Sequence, residues 1–214
     1  MNWIDLERHF SPARMRRYRA SCAGDEVKAA SAYVNNMLIA GAMTPTLSVL
    51  EIALRNWIHL RMSARYQRPD WWEAWAGDPA FARQTNEVRG AKDRLQRRAE
   101  IATSDKIVAE LAFGFWSSLF NGVFTPVLWK DLRLVFPRCP KAQRKRQAIS
   151  SALNQIRDLR NRVFHHEQLL WLHPGLLDLH AKGTEVIGWI DPQLVQWLAG
   201  YDPLPATWAA CRPR

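Results

Sequence analysis

Cysteine is scarce in this chain: Cys22, Cys139 and Cys211 are isolated and far apart. An odd number at such spacing argues against a disulfide framework and against a CxxC-type metal cluster. It fits reduced thiols in a cytoplasm. No unbroken run of eighteen apolar residues occurs, which predicts that nothing spans a membrane. The opening residues, MNWIDLERHFS, lack both the basic and the apolar stretch of a secretory signal, so a cytoplasmic location is expected. Strand-type alternation, internal repeats and low-complexity segments are all missing, and the expected fold class is all-α. Acidic residues are in the minority, 20 against 30 lysines and arginines.

What is present describes one large globular domain. The 214 residues are long enough to bury a substantial core, at 48% hydrophobic and 23% charged residues. The whole of 1–214 is read as that single domain. A basic N-terminal helix occupies 1–24, a helical core 25–167, and an irregular C-terminal extension 168–214. The formal net charge of +10 and the pI near 10.1 point to an anionic partner, with nucleic acid foremost. The plainer alternative is a generally arginine-rich surface. Most of the eleven tryptophans are expected in the core.

Cap-plus-proline signatures mark the expected helices. Ser11-Pro12 opens a basic helix carrying Arg14, Arg16, Arg17 and Arg19, which is either a solvated face or an arm for phosphates. Gly24-Asp25 opens a helix to about Ala40, with Val27, Ala30, Val34, Met37 and Leu38 at helical spacing. Thr44-Pro45 opens another, to about Tyr66, with Leu47, Leu50, Leu54 and Ile58 as its buried stripe. WWEAW at 71–75 reads as a short packing element. Asp78-Pro79 starts a densely charged helix to about Glu100, whose charges suit i, i+4 pairing on a solvated surface. Ser104-Asp105 and Thr125-Pro126 begin two more. A long helix is expected from Lys141 to His166. Its basic first turns (Lys141, Arg144, Lys145, Arg146) oppose the helix dipole and suggest an external anion there. Beyond it, a short helix at 175–181, a strand-like link at 184–187, a helix from Asp191-Pro192 and a proline-broken surface tail complete the expectation.

The most informative stretch is IRDLRNRVFHHEQLL, residues 156–170. At about 100° per residue, Ile149, Leu153, Ile156, Val163 and, at the edge, Phe164 share one apolar stripe. Arg160 falls near its middle, which is costly unless the guanidinium is paired or lines a cleft. Asn161 and His165 are i, i+4 neighbours on the adjoining face, within reach of Arg160. Glu51 sits in the apolar stripe of its own helix in the same way, with the opposite sign. The economical expectation is a half-buried pair of Glu51 with Arg160, or with Arg55 or Arg61. Such a pair is at least as readily structural as catalytic.

FSPARMRRY near the start, LSVLEIALRN at 47–56, DWW at 70–72, KIVAELAFGFWSSLF at 106–120 and LRNRVFHHE at 159–167 occur in one order and spacing. Together they resemble the Abi-like proteins of bacterial abortive-infection systems, within the wider HEPN superfamily. The resemblance implies a HEPN-type helical bundle with additional N- and C-terminal helices. It implies a homodimer with the Arg160/His165 helices at the interface, and a metal-independent endoribonuclease acting in antiphage defence or as a toxin. A cognate antitoxin or a phage-derived trigger is a further partner of such systems.

The residue types suit that chemistry. RNA supplies its own 2′-hydroxyl as nucleophile, so the protein needs only proton transfer and charge stabilisation on the phosphorane, without metal or cofactor. His165 would be general acid or base and Arg160 the phosphate contact, with Asn161 positioning them. His166, Glu51 and Arg55 would support them, and Arg14, Arg16, Arg17 and Arg162 would touch RNA. His165, His166, Glu167 and His173 do not form a zinc-helix spacing, because adjacent histidines diverge on a helix. The competing readings are a structural His165, a non-catalytic RNA-binding HEPN module, and a subunit whose partner is a protein.

Overall fold

The computed structural model describes residues 2–212. Among these residues it is all-α: α1 (Trp3–Phe10), α2 (Pro12–Ser21), α3 (Glu26–Tyr66), α4 (Ala82–Arg97), α5 (Ser104–Glu110), α6 (Phe113–Ser118), α7 (Thr125–Leu132), α8 (Arg146–Phe164), α9 (Leu176–Ile190), α10 (Pro192–Ala199) and α11 (Leu204–Cys211). Four short 3₁₀ turns join them. The N-terminal region holds two helices in place of the one expected. Asn2 and Asp5 cap α1 reciprocally, and the Ser11 hydroxyl accepts from Arg14 N–H at the start of α2.

The spine is α3, 41 residues without interruption. The sequence reading placed a boundary at Thr44-Pro45, and the structure corrects it. Pro45 costs the helix one N–H and crowds the carbonyl four residues back. That residue is Gly41, which is exposed, so water can take the freed carbonyl. Packing outweighs the local signal: α3 lies against α1, α2 and α5 through α11.

Which face of α3 is buried also differs from expectation in its N-terminal half. Ala29, Ala32, Asn36, Ile39, Ala42 and Met43 are buried. Val27, Val34, Met37 and Leu38 are exposed, Val27 by 78%. Alanines at the contact let neighbouring backbones approach closely, so the smaller side chains win the interior and the larger ones stay outside. In the C-terminal half, Leu47, Leu50, Leu54 and Ile58 are buried as expected.

From Ala29 to Leu50 no residue is charged. The structure therefore contains one helix long and apolar enough to cross a membrane by length and composition, with mean hydropathy 1.7 over an eighteen-residue window. The test for an unbroken apolar run missed it, because Ser31, Asn35, Asn36 and Thr44 interrupt the run without adding charge. In the fold this helix is the central packing element.

WWEAW forms a 3₁₀ turn whose three tryptophans are buried. Trp75 stacks on Phe81 at 4.3 Å and Phe81 on Phe124 at 4.9 Å, making a continuous aromatic layer between α4 and the α6–α7 region. Three cations on or just past α4 pair with other elements and not along the helix. Arg94 and Arg98 both bind Glu110 at the end of α5, and Lys92 binds Glu73. Arg98 and then Arg94 hold the Glu110 carboxyl down at about 2. Only Arg83–Glu87 is an i, i+4 pair of the expected kind.

The long helix α8 starts at Arg146, not at Lys141. Pro140 to Lys145 is a turn, because Arg144 spends its guanidinium on the carbonyls of Pro137 and Cys139. Arg146 donates to Phe120 O at 3.0 Å. These two arginines therefore serve carbonyls of the chain, and the expected external anion is not needed to account for them. The C-terminal segment is not irregular: the 184–187 link lies inside α9, and the proline-broken tail contains α11, which packs on α3 with Leu204 and Cys211 buried. The last two residues of that tail lie outside the described ones. Asp202 accepts from Leu204 N–H and lies 2.8 Å from His180 Nε2, itself 3.2 Å from Thr46 Oγ1 on α3. That polar knot docks the tail.

Because Pro45 interrupts a helix that continues through it, Pro45→Ala is expected to raise stability by about 1–3 kcal/mol. A thermal melt should rise by several degrees; a fall would mean that the ring's packing outweighs the lost hydrogen bond.

Candidate functional site

The C-terminal turn of α8 carries the arginine, amide and imidazole picked out from sequence. Ile149, Leu153, Ile156, Leu159 and Val163 are buried, and they fix the rotation of the helix. Arg160 then emerges at the core's edge. Its Nε lies 3.6 Å from Glu51 Oε2 on α3, and its guanidinium carbon sits 4.6 Å from the Phe164 ring centroid. The side chains are 30% and 19% exposed, so the expected Glu51–Arg160 pair is present and half-buried. A distance of 3.6 Å is an ion pair and not a hydrogen bond, which leaves Nε without a hydrogen-bonding partner. Phe164, expected at the stripe's edge, is 46% exposed and forms one wall for the guanidinium.

Asn161 and His165 are exposed, one turn apart. His165 is the C-cap, and its backbone N–H binds Asn161 O at 2.8 Å. Neither side chain has a hydrogen-bonding partner in the chain among the described residues. After His165 the helix closes in a Schellman arrangement. Glu167 N–H reaches back to Arg162 O at 2.8 Å and His166 N–H to Val163 O at 3.1 Å. That geometry puts His166 in the left-handed region, at φ 55°. The position usually belongs to glycine, because a Cβ is disfavoured there.

The turned chain is held from two other helices. Arg14 on α2 donates to the His166 carbonyl. Asn36 on α3, 3% exposed, donates to Glu167 O at 3.0 Å and accepts from Leu169 N–H at 2.6 Å. His166 thus stands between two clefts. One, of about 240 Å³, is lined by Arg14, Arg17, Tyr18 and Gln168. The other, of about 420 Å³, is lined by His9, Phe10, Tyr33 and Met37. Burial raises the Tyr18 hydroxyl to about 12, so it stays protonated at the first cleft's wall.

The residues named from sequence do not all gather in one place. Arg160, Asn161, His165 and His166 follow one another along the end of α8, with Glu51 against Arg160 and with Arg14 and Arg17 beside His166. Arg162 is exposed and binds Glu167 at 3.3 Å. Arg55 is one turn further along α3 and faces α5, donating to Ala109 O at 3.3 Å; it supports a different cleft. Arg16 is exposed and lines neither cleft beside His166. Sequence reasoning missed Asn36, His9 and Tyr33. The available signal for Asn36 was an amide in a long uncharged stretch, which has to be satisfied if buried.

Compared with known proteins, the chain matches no family model, no curated protein and no solved structure. The site stands on its own geometry.

Two substitutions test the support of this turn. Asn36→Ala leaves a buried N–H and a carbonyl without partners and should cost about 2–4 kcal/mol in a denaturant titration. His166→Gly relieves the left-handed backbone and should leave stability within about 1 kcal/mol of the parent. A large loss from His166→Gly would show that the imidazole itself holds the turn.

Proposed function

We propose that the protein is a metal-independent endoribonuclease of the HEPN type, acting in abortive infection or antiphage defence or as a toxin. The observation that carries this reading is the end of α8. There a guanidinium is pinned half-buried between Glu51 and Phe164, next to an amide and an imidazole that have no partner in the chain. The motif order and spacing described above, the helical fold and the net charge of +10 agree with it.

In this mechanism the strand's 2′-hydroxyl loses its proton and attacks the adjacent phosphorus. The bond to the next nucleotide's 5′-oxygen breaks, and that oxygen leaves protonated, so a 2′,3′-cyclic phosphate remains. His165 removes or returns the proton, and Arg160 stabilises the charge that develops on the phosphorane oxygens. Glu51 and Phe164 hold the guanidinium in place, so less ordering is needed when substrate arrives. Asn161 orients the imidazole or a phosphate oxygen. Arg14 and Arg17, beside His166, extend the positive surface along which a strand can lie.

The partner is a second copy of the chain. Val34, Met37 and Leu38 form an uncovered apolar strip on α3, and Met37 lines the cleft that also holds His166. A two-fold pairing that sets the Arg160/His165 helices at the interface would supply two histidines and two arginines, enough for a separate acid and base. A non-catalytic RNA-binding or protein-interaction module is the competing reading. It is favoured by the exposed Arg16 and Arg17 of α2, which can contact phosphates without taking part in chemistry.

The test is end-labelled RNA incubated with the protein in excess EDTA, beside His165→Ala. The parent should leave 2′,3′-cyclic phosphate ends, and the variant should lose activity by about 100-fold or more. RNA bound by both proteins and cut by neither makes the binding module the correct reading. Equal cutting by both removes His165 from the mechanism.

A further inference from the structure

A third cleft, of about 570 Å³, lies one turn beyond Glu51 along α3 and is closed on the other side by α5. Arg55, His59 and Ser63 follow one another at four-residue spacing on its floor, with Asn56 beside them. The order Arg55-Asn56 and then His59 repeats, with one residue fewer, the arginine, amide and imidazole of α8.

The state of His59 is set by its neighbours. Trp71 Nε1–H donates to His59 Nδ1 at 3.0 Å, so the neutral ring carries its proton on Nε2. Burial lowers the imidazole's pKa, against the opposing pull of Asp105, and this favours the neutral form. With its lone pair taken by the indole, the ring cannot accept a proton from a substrate. It can only donate, from Nε2. That nitrogen is 4.0 Å from Asp105 Oδ1, beyond hydrogen-bond reach, so the donor is not spent. His59 is a fixed N–H donor and not a general base.

Other donors around it are also unspent. The Asn56 side chain is exposed and makes no hydrogen bond among the described residues. Arg55 gives one nitrogen to Ala109 O, while its Nε and the Ser63 hydroxyl are buried without a partner. Native chains rarely leave such groups unsatisfied. The rim also holds an acceptor, Asp105, whose side chain is 96% exposed. Leu60, Pro69 and Val108 supply an apolar wall. Donors, a carboxylate at the rim and an apolar wall are complementary to phosphate oxygens, sugar hydroxyls and a flat base. The volume is that of an ordinary small-ligand site.

We propose that this cleft binds one nucleotide unit, with its phosphate on Arg55, Asn56 and His59, its sugar hydroxyls on Asp105 and its base against the apolar wall. The unit is either a free mononucleotide or one residue of an RNA strand. The site stands whether or not the end of α8 cleaves RNA.

The probes are AMP and a single-stranded RNA hexamer, titrated calorimetrically. All titrations use the full chain in the His165→Ala background, so that no strand is cut, and AMP is repeated on the parent. AMP should bind both equally, and Asn56→Asp and Arg55→Gln should each weaken it about tenfold or more. Asn56 is exposed, so Asn56→Asp should leave the thermal melt unchanged and keep the result interpretable even if Arg55→Gln perturbs packing with α5. Binding of the hexamer alone, with the same sensitivity, assigns the cleft to a residue of a strand. No binding of either probe, or binding indifferent to Asn56→Asp and Arg55→Gln, overturns the proposal. So does AMP binding that is lost on His165→Ala, because the ligand then sits at α8.

Discussion

The end of α8 and the cleft against α5 both hang on α3 continuing through Pro45. A break there, as the local signal suggests, would uncouple Asn36 from Glu51 and leave the end of α8 supported by two independent pieces. As one rod, α3 holds the backbone beyond His166 through Asn36, pins Arg160 through Glu51, and carries Arg55 and His59 to the cleft against α5. The proline's cost is met by the packing of one face of the helix along its length, a collective effect larger than any single cap.

The end of α8 combines rigid support with uncommitted chemistry. The backbone from His166 to Leu169 is tied by Arg14 and Asn36 and bent through a left-handed residue. The Asn161 and His165 side chains, in contrast, are free. Strain and buried amides fix a turn so that exposed groups beside it need little further ordering. His59 shows the reverse economy: its ring is locked by Trp71, and the locking decides that it donates and does not accept.

The excess positive charge divides by role. Arg94, Arg98, Arg144 and Arg146 are consumed in joining elements, either to Glu110 or to backbone carbonyls. Arg16 and Arg17 remain solvent-facing, and Arg160 is held ready at the core's edge. Net charge therefore overstates the surface available to an anionic partner, since part of it is internal mortar.

Periodicity and capping made much of this legible from the amino acids alone. The all-α class, the caps at Ser11 and Asp191, the buried stripe of α8 and the opposition of Glu51 to Arg160 all follow from local spacing, because side-chain direction on a helix repeats with a known angle. Three things depended on contacts between distant segments. The first is which of two apolar stripes on α3 goes inside, decided by small residues that permit close helix approach. The second is whether a proline ends a helix or sits within it, decided by the packing around it. The third is the gathering of Asn36, Arg14 and His166, and of His59, Trp71 and Asp105, residues too far apart in the chain for any spacing rule to join. Local energies choose the helices, and only the packing between them determines which side chains meet.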